Sequence, residues 1–318
     1  MSSRLTREQA GLLLCLLSAL AFSSSTIFGR VALEDGAGVT SILVFRYGAA
    51  APLFWLLVRL AGQQLPGPRG LLRTLALGAV VVAPQALFIY LALARLSAGL
   101  VVLLLYTFPA MVAVGSVLTG REPLSLRKIA AVLVAILGTA LAMLGGGPVQ
   151  ADGLGIVYAL GSAFCCALWI SIGDRILQGI PALTVSALIS TGAALTLCGV
   201  GLALNGVELS FGLAGWVAIV GTIVFSTIVA FVTSLAGVAR IGPTAASVLL
   251  TAEVPLAVTW SILLLGERLL PTQIAGGILV VAAVLILQLG TIRWPAWLTA
   301  RYAPLTRATG QPRQPPAS

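Results

Sequence analysis

Histidine is absent from this chain of 318 residues. That removes the commonest general base, proton shuttle and metal ligand together. Charge is scarce too. Asp, Glu, Lys and Arg make up 8% of the chain and hydrophobic residues 59%, whereas soluble domains carry about 25% charged residues. So few charges cannot cover a water-facing surface, and the chain reads as an integral membrane protein. Its four cysteines, Cys15, Cys165, Cys166 and Cys198, fall inside apolar runs without zinc spacing, so neither a disulfide framework nor a metal site is expected. No GxxxxGK[ST] loop occurs, which argues against an intrinsic ATP pump. The net charge of +9 comes from arginines scattered singly between apolar runs. With no aromatic-basic patch to gather them, nucleic acid is not an expected partner. No cofactor is expected either.

What the chain does have is long apolar runs. A span needs about 20 mostly apolar residues, and ten candidates follow in order: 10–28, 40–58, 74–94, 97–118, 127–144, 154–172, 182–204, 213–236, 244–265 and 272–290. The first reads as an anchor and not as a cleaved signal peptide, because its apolar run is long and more spans follow. With the N-terminus inside, fourteen of the eighteen basic residues lie on the cytoplasmic side, while Arg30, Arg95 and Arg268 lie outside and Arg46 within a span. The positive-inside rule therefore expects both termini in the cytoplasm. Residues 291–318 read as a basic, Pro-rich disordered tail. Trp294, Trp297 and Tyr302 there suggest an interfacial belt.

The spans divide into two fives. Arg30 and Arg175, Arg95 in "ALARLSAG" (92–99) and Arg240 in "GVARIGPT" (237–244), and Glu122 in "GREPL" (120–124) and Glu267 in "GERLL" (266–270) are pairs at one offset of 145 residues. An odd number of spans per copy makes the second enter from the opposite side. The expected fold is an all-α membrane protein of ten transmembrane helices in two inverted five-helix repeats, 1–146 and 147–290. In that plan the substrate site lies near the midplane where the halves meet.

Glu253, in "LLTAEVPLAV", falls in the middle of the ninth span. An ionised carboxylate there costs roughly 2.5–3.5 kcal/mol on insertion scales, so it must face a cavity, pair with a cation or stay protonated. It is a candidate proton or substrate-amine site, or else a helix-tying carboxylate. Arg46, in "LVFRYGAA", cannot lose its proton and needs an anion, helix-end carbonyls or Glu253 itself, unless it snorkels to the interface. An enclosed cavity would turn Arg46 and Glu253 toward each other. Pro109 and Pro255 hold corresponding places in spans four and nine. Each frees a carbonyl, on Leu105 and Thr251, and with Pro84 they are candidate kinks for gating. Gln85, Tyr90, Tyr106, Trp169, Thr227 and Trp260 are further candidate lining groups. Ser23 to Thr26 read as packing residues on span one. Ala131, Ala135 and Thr139, and less cleanly Ala275, Leu279 and Ala283, form small faces for close packing inside the bundle or in a dimer.

"YTFPAMVAVGSVLTGRE" (106–122) and "TAEVPLAVTWSILLLGE" (251–267), with "FRYGAA" in span two, resemble the EamA type of the drug/metabolite transporter superfamily over residues 10–290. The chain departs from the pattern in lacking a tryptophan in span one. It also places Glu253 two residues before its proline, where many relatives put the acid directly before it. The resemblance implies export of small polar or amphipathic metabolites, such as amino acids, across a bacterial inner membrane. It makes Glu122 and Glu267 signatures, read here as structural because they sit at helix ends. The expected partners are a small-molecule substrate and membrane lipids, with the chain a monomer or homodimer. An enzyme would need paired acids, a nucleophile constellation or metal ligands, and the spans offer one mid-depth acid. The transporter reading leaves open proton coupling against uncoupled facilitation. A lipid translocator or a non-transporting scaffold is the alternative outside it.

Overall fold

The computed structural model describes residues 6–120, 125–144, 152–204 and 206–289. The expected tail, its aromatic belt and Glu122 lie outside them. Every regular element among the described residues is helical. The helices are α1 Arg7–Glu34, α2 Val39–Leu60, α3 Pro68–Leu93, α4a Ala98–Leu105, α4b Phe108–Leu118, α5 Leu126–Leu144, α6 Gly153–Ile176, α7 Ala182–Ala203, α8 Leu213–Ile241, α9a Pro243–Leu250, α9b Glu253–Leu265 and α10 Pro271–Leu289. Among the described residues, eight spans are long and apolar enough to cross a membrane, and a shorter apolar helix, Pro271–Leu287, accompanies them. The remaining expected span is α5, which packs along α10. The chain is an all-α, multi-pass membrane protein.

The two largest departures from the expected boundaries, six residues each, are the end of α1 and the start of α3. Helix α1 starts on a capping box between Thr6 and Gln9 and runs past Arg30 to Glu34. It survives the charged turn because Arg30 pairs with Glu34 at 2.7 Å and donates to the carbonyl of Leu93 at 3.0 Å. Helix α3 begins at Pro68, six residues early, with proline in its first turn where no N–H is needed.

The packing carries the repeat. α1 lies on α8 and α9b, as α6 lies on α3 and α4; α2 touches α8 as α7 touches α3. The pairs α2–α7, α4–α9 and α5–α10 also touch and map onto themselves when each span is exchanged for the one five further on. Local irregularities obey the same exchange. A π-helical turn occupies Gly78–Val82 in α3 and Val224–Val229 in α8. Spans four and nine both break, at Tyr106–Thr107 and Thr251–Ala252, residues that correspond at the offset of 145. Helices interrupted at matched places in two repeats are a transporter device.

Leu133 and Ile136 on α5 and Leu195 and Leu202 on α7 stay exposed, and lipid is as apolar as they are. The inner faces use small residues. Gly138 and Gly276 press together so closely that a Cβ on Gly138 would stand 2.8 Å from the Gly276 carbonyl oxygen. The small face of α5, with Ala131 and Ala135 buried, matches expectation, and it packs inside the bundle. On α10 Ala283 is buried and Leu279 stands against Gly138, as expected, whereas Ala275 is exposed and Gly276 takes the close contact in its place. Gly138→Val should cost about 1–3 kcal/mol of stability, because backbone must move; a lowered thermal midpoint in detergent would show it.

Candidate functional site: a cavity between the repeats

A cavity of about 1180 Å³ opens where the two halves meet. It is lined by Glu253, Arg46, Gln85, Tyr90, Tyr106, Trp169 and Thr227 from the sequence candidates, and by Pro109. Trp260 and Pro84 are not among its lining residues, and Pro255 is exposed, pointing away. The prolines have a different consequence from a bend. Pro109 stands in the first turn of α4b and Pro255 in the first turn of α9b, so each helps restart a helix after a full break. Pro84 follows the π-helical turn of α3, where the Ala83 amide reaches back five residues to the Gly78 carbonyl. The Thr251 carbonyl, expected to be free, accepts the Val254 amide at 3.2 Å.

The α9 break positions Glu253. It becomes the first residue of α9b, where the helix dipole favours a carboxylate, and the Tyr106 hydroxyl donates to its Oε2 at 2.7 Å. Tyr106 belongs to the α4 break, so the two discontinuities of the two repeats meet in one hydrogen bond. The Phe108 ring lies 5.5 Å from that of Tyr106, and Phe108 and Cys166 also line the cavity.

Arg46 is seven residues into α2, about 10 Å along the helix axis. Its guanidinium turns inward and does not snorkel. Nε donates to Thr227 Oγ1 at 3.1 Å, and Nη1 donates to Ser25 Oγ and to the Tyr90 hydroxyl, each at 3.3 Å. The Tyr47 ring lies 5.6 Å away by its centroid, within cation–π range. Thr227 sits on the π-helical turn of α8 and also donates to the Thr222 carbonyl at 3.0 Å, five residues back. Arg46 and Glu253 share the cavity but not a bond: no ion pair joins them.

The cavity reaches Ser116, Ser125, Arg127, Lys128 and Ser186 at one end of the bundle. At the other end, bonds cross between the halves. Asp35 Oδ2 accepts the Gly215 amide at 2.6 Å, Ser41 Oγ accepts the Glu208 amide at 2.8 Å, and Thr40 Oγ1 donates to the Gly206 carbonyl. Glu267 accepts the amides of Ala98 at 2.6 Å and Gly99 at 3.1 Å, capping α4a after the left-handed Gly266 ends α9b. That is a structural role, as expected. Glu267→Ala should cost about 0.5–2 kcal/mol, the usual penalty of a lost cap, measurable as lowered thermal stability. Arg95 and Asp152 pair at 2.5 Å. The Arg95 hydrogen bond holds the Asp152 carboxyl below its ordinary range. The stability this pair supplies is therefore present above the ordinary carboxylate pKa and lost as pH falls through the lowered value. Both side chains are over a third exposed, so the pair orients the loops more than it stabilises them.

Sequence reasoning missed several lining residues. Ser25 was read as packing, and Lys128 and Arg127 only as topology signals. Tyr47, Phe54, Phe108 and Phe231 were not singled out, although Phe108 stands 145 residues before Glu253 and the repeat offset alone points to it.

A two-repeat membrane bundle with matched helix breaks around a polar-studded cavity has the architecture of a secondary transporter. The profile of the EamA-like transporter family matches residues 9–144 and again residues 153–289. The chain belongs to that family. It is 27% identical over 289 residues to an uncharacterized transporter, YcbK, of Bacillus subtilis (strain 168), covering 86% of this chain and 91% of that protein. A solved crystal structure described only as that of a protein superposes with a TM-score of 0.61 at 16% identity, over 90% of this chain and 99% of that one; that likeness concerns the fold alone.

Proposed function

We propose that this transporter is an exporter of small amphipathic solutes that works by alternating access, coupled to protons through Glu253. The observation that carries the reading is the polarity of the cavity. It opens toward Arg127 and Lys128 and ends against a seal of hydrogen bonds between the two repeats. With the positive-inside orientation, the open end faces the cytoplasm of a bacterial inner membrane, and both termini lie on that side. Solute enters there. Rocking of the repeats about their shared axis then breaks the outer seal and closes the mouth.

Glu253 supports the proton-coupled reading over uncoupled facilitation. It is the one carboxylate among the described lining residues, and at that depth its charged and neutral forms differ in cost by several kcal/mol, on the order of the insertion penalty. Emptying and refilling the cavity with water therefore drives its protonation cycle. The test compares compounds in the medium of cells with and without the chain. A compound that accumulates outside only with the chain supports export. Identical media would overturn it and favour a lipid translocator or a scaffold.

A further inference from the structure

We infer that the solute is an organic anion, and that Arg46 with its hydroxyl collar is the socket for its carboxylate. The inference rests on the exporter reading above and adds the charge of the cargo. Arg46 stays cationic at any accessible pH. Its hydrogen-bond partners are Thr227, Ser25 and Tyr90, all neutral hydroxyls, and among the described residues no acid lies within pairing distance. An unneutralised cation at membrane depth is costly, and an anion delivered to it removes that cost.

The fork of the guanidinium points the same way. Nε and Nη1 are taken by the collar, whereas Nη2 has no partner among the described residues. A carboxylate that bonds Nη2 and displaces Ser25 or Tyr90 from Nη1 would make the parallel pair of bonds for which arginine is suited. Glu253, by contrast, is already served by the Tyr106 hydroxyl and by the start of α9b. Among the described residues, the lining holds Arg46, Arg127 and Lys128 and one carboxylate, Glu253. Phe22, Phe54, Phe108, Trp169 and Phe231 supply apolar faces for the rest of the solute, which favours an amphipathic body over a bare inorganic ion.

The test uses the purified full chain in detergent and three probes of one shape and different charge: 3-phenylpropionate, 3-phenylpropan-1-ol and 3-phenylpropylamine. Calorimetry at constant ionic strength, with chloride as background, should give an affinity for the carboxylate at least about tenfold above the other two. Arg46→Gln should lower it roughly ten- to a hundredfold, and Arg46→Lys, which keeps charge without the fork, should retain part of it. The wild-type series alone decides the sign of charge even if a variant folds poorly. Equal or tighter binding of the amine or alcohol, no binding of the carboxylate, or an unchanged affinity in Arg46→Gln overturns the inference. A released compound that is neutral or cationic sinks the anion socket and keeps export. Carboxylate binding by a chain that releases nothing sinks export alone.

Discussion

Glu253→Gln lowers export by at least about tenfold and removes its dependence on the proton gradient. Glutamine keeps the shape of the side chain and an oxygen for the 2.7 Å bond from Tyr106, so the two helix breaks stay joined. What it loses is the change of charge. A tenfold loss corresponds to about 1.4 kcal/mol, a fraction of the roughly 2.5–3.5 kcal/mol that separates charged from neutral groups at this depth, so tenfold is a lower bound. The check is efflux at matched membrane abundance, with and without a protonophore. Wild-type export should collapse when the gradient does, and the residual export of the variant should not respond. Equal, protonophore-sensitive efflux from both chains would reduce Glu253 to a tie between helices.

A disulfide across the outer seal stops transport, reversibly. A Cβ built on Gly206 stands 3.7 Å from the Cβ of Thr40, within the roughly 3.5–4.5 Å of a relaxed disulfide. These residues belong to different repeats, and their native contact is the bond from Thr40 Oγ1 to the Gly206 carbonyl. In a background freed of Cys15, Cys165, Cys166 and Cys198, the pair Thr40→Cys and Gly206→Cys should export normally when reduced. When oxidised it should lose nearly all activity, because the outer seal can no longer part, and reductant should restore it. Either single substitution should be insensitive to oxidant. A cross-linked chain that transports at the wild-type rate would mean that this end never opens.

Much of the frame was legible because membranes leave a chain few choices. Backbone groups in lipid must be satisfied within a helix, so the apolar runs announced the spans. The offset of 145 announced the symmetry, and the packing of α1 on α8 and of α6 on α3 obeys it. Glu253 and Arg46 were visible as charges where charge is expensive. Their partners were not. Tyr106 reaches Glu253 across 147 positions and Thr227 reaches Arg46 across 181, separations on which helical periodicity is silent. Trp260 looked like a lining aromatic because its span is mid-membrane, but rotation about a helix axis decides which face meets the cavity, and an apolar run hides that rotation. The breaks at Tyr106 and Thr251 were foreshadowed by proline only as kinks. Proline marks where a helix bond is missing, not how far the chain unwinds around it.

The most direct measurement is whether the two ends of the cavity open in alternation. Ser116→Cys places a thiol on the cavity wall near Arg127 and Lys128, in the same cysteine-free background with the Thr40→Cys/Gly206→Cys pair. The pair is oxidised first, and an impermeant thiol reagent is then applied to vesicles of either orientation. The account predicts reaction only from the cytoplasmic face, faster with the outer bridge formed than in the chain without the pair, because the bridge holds the mouth open. A rate unchanged by the bridge, or reaction from the outer face while it is formed, would contradict it.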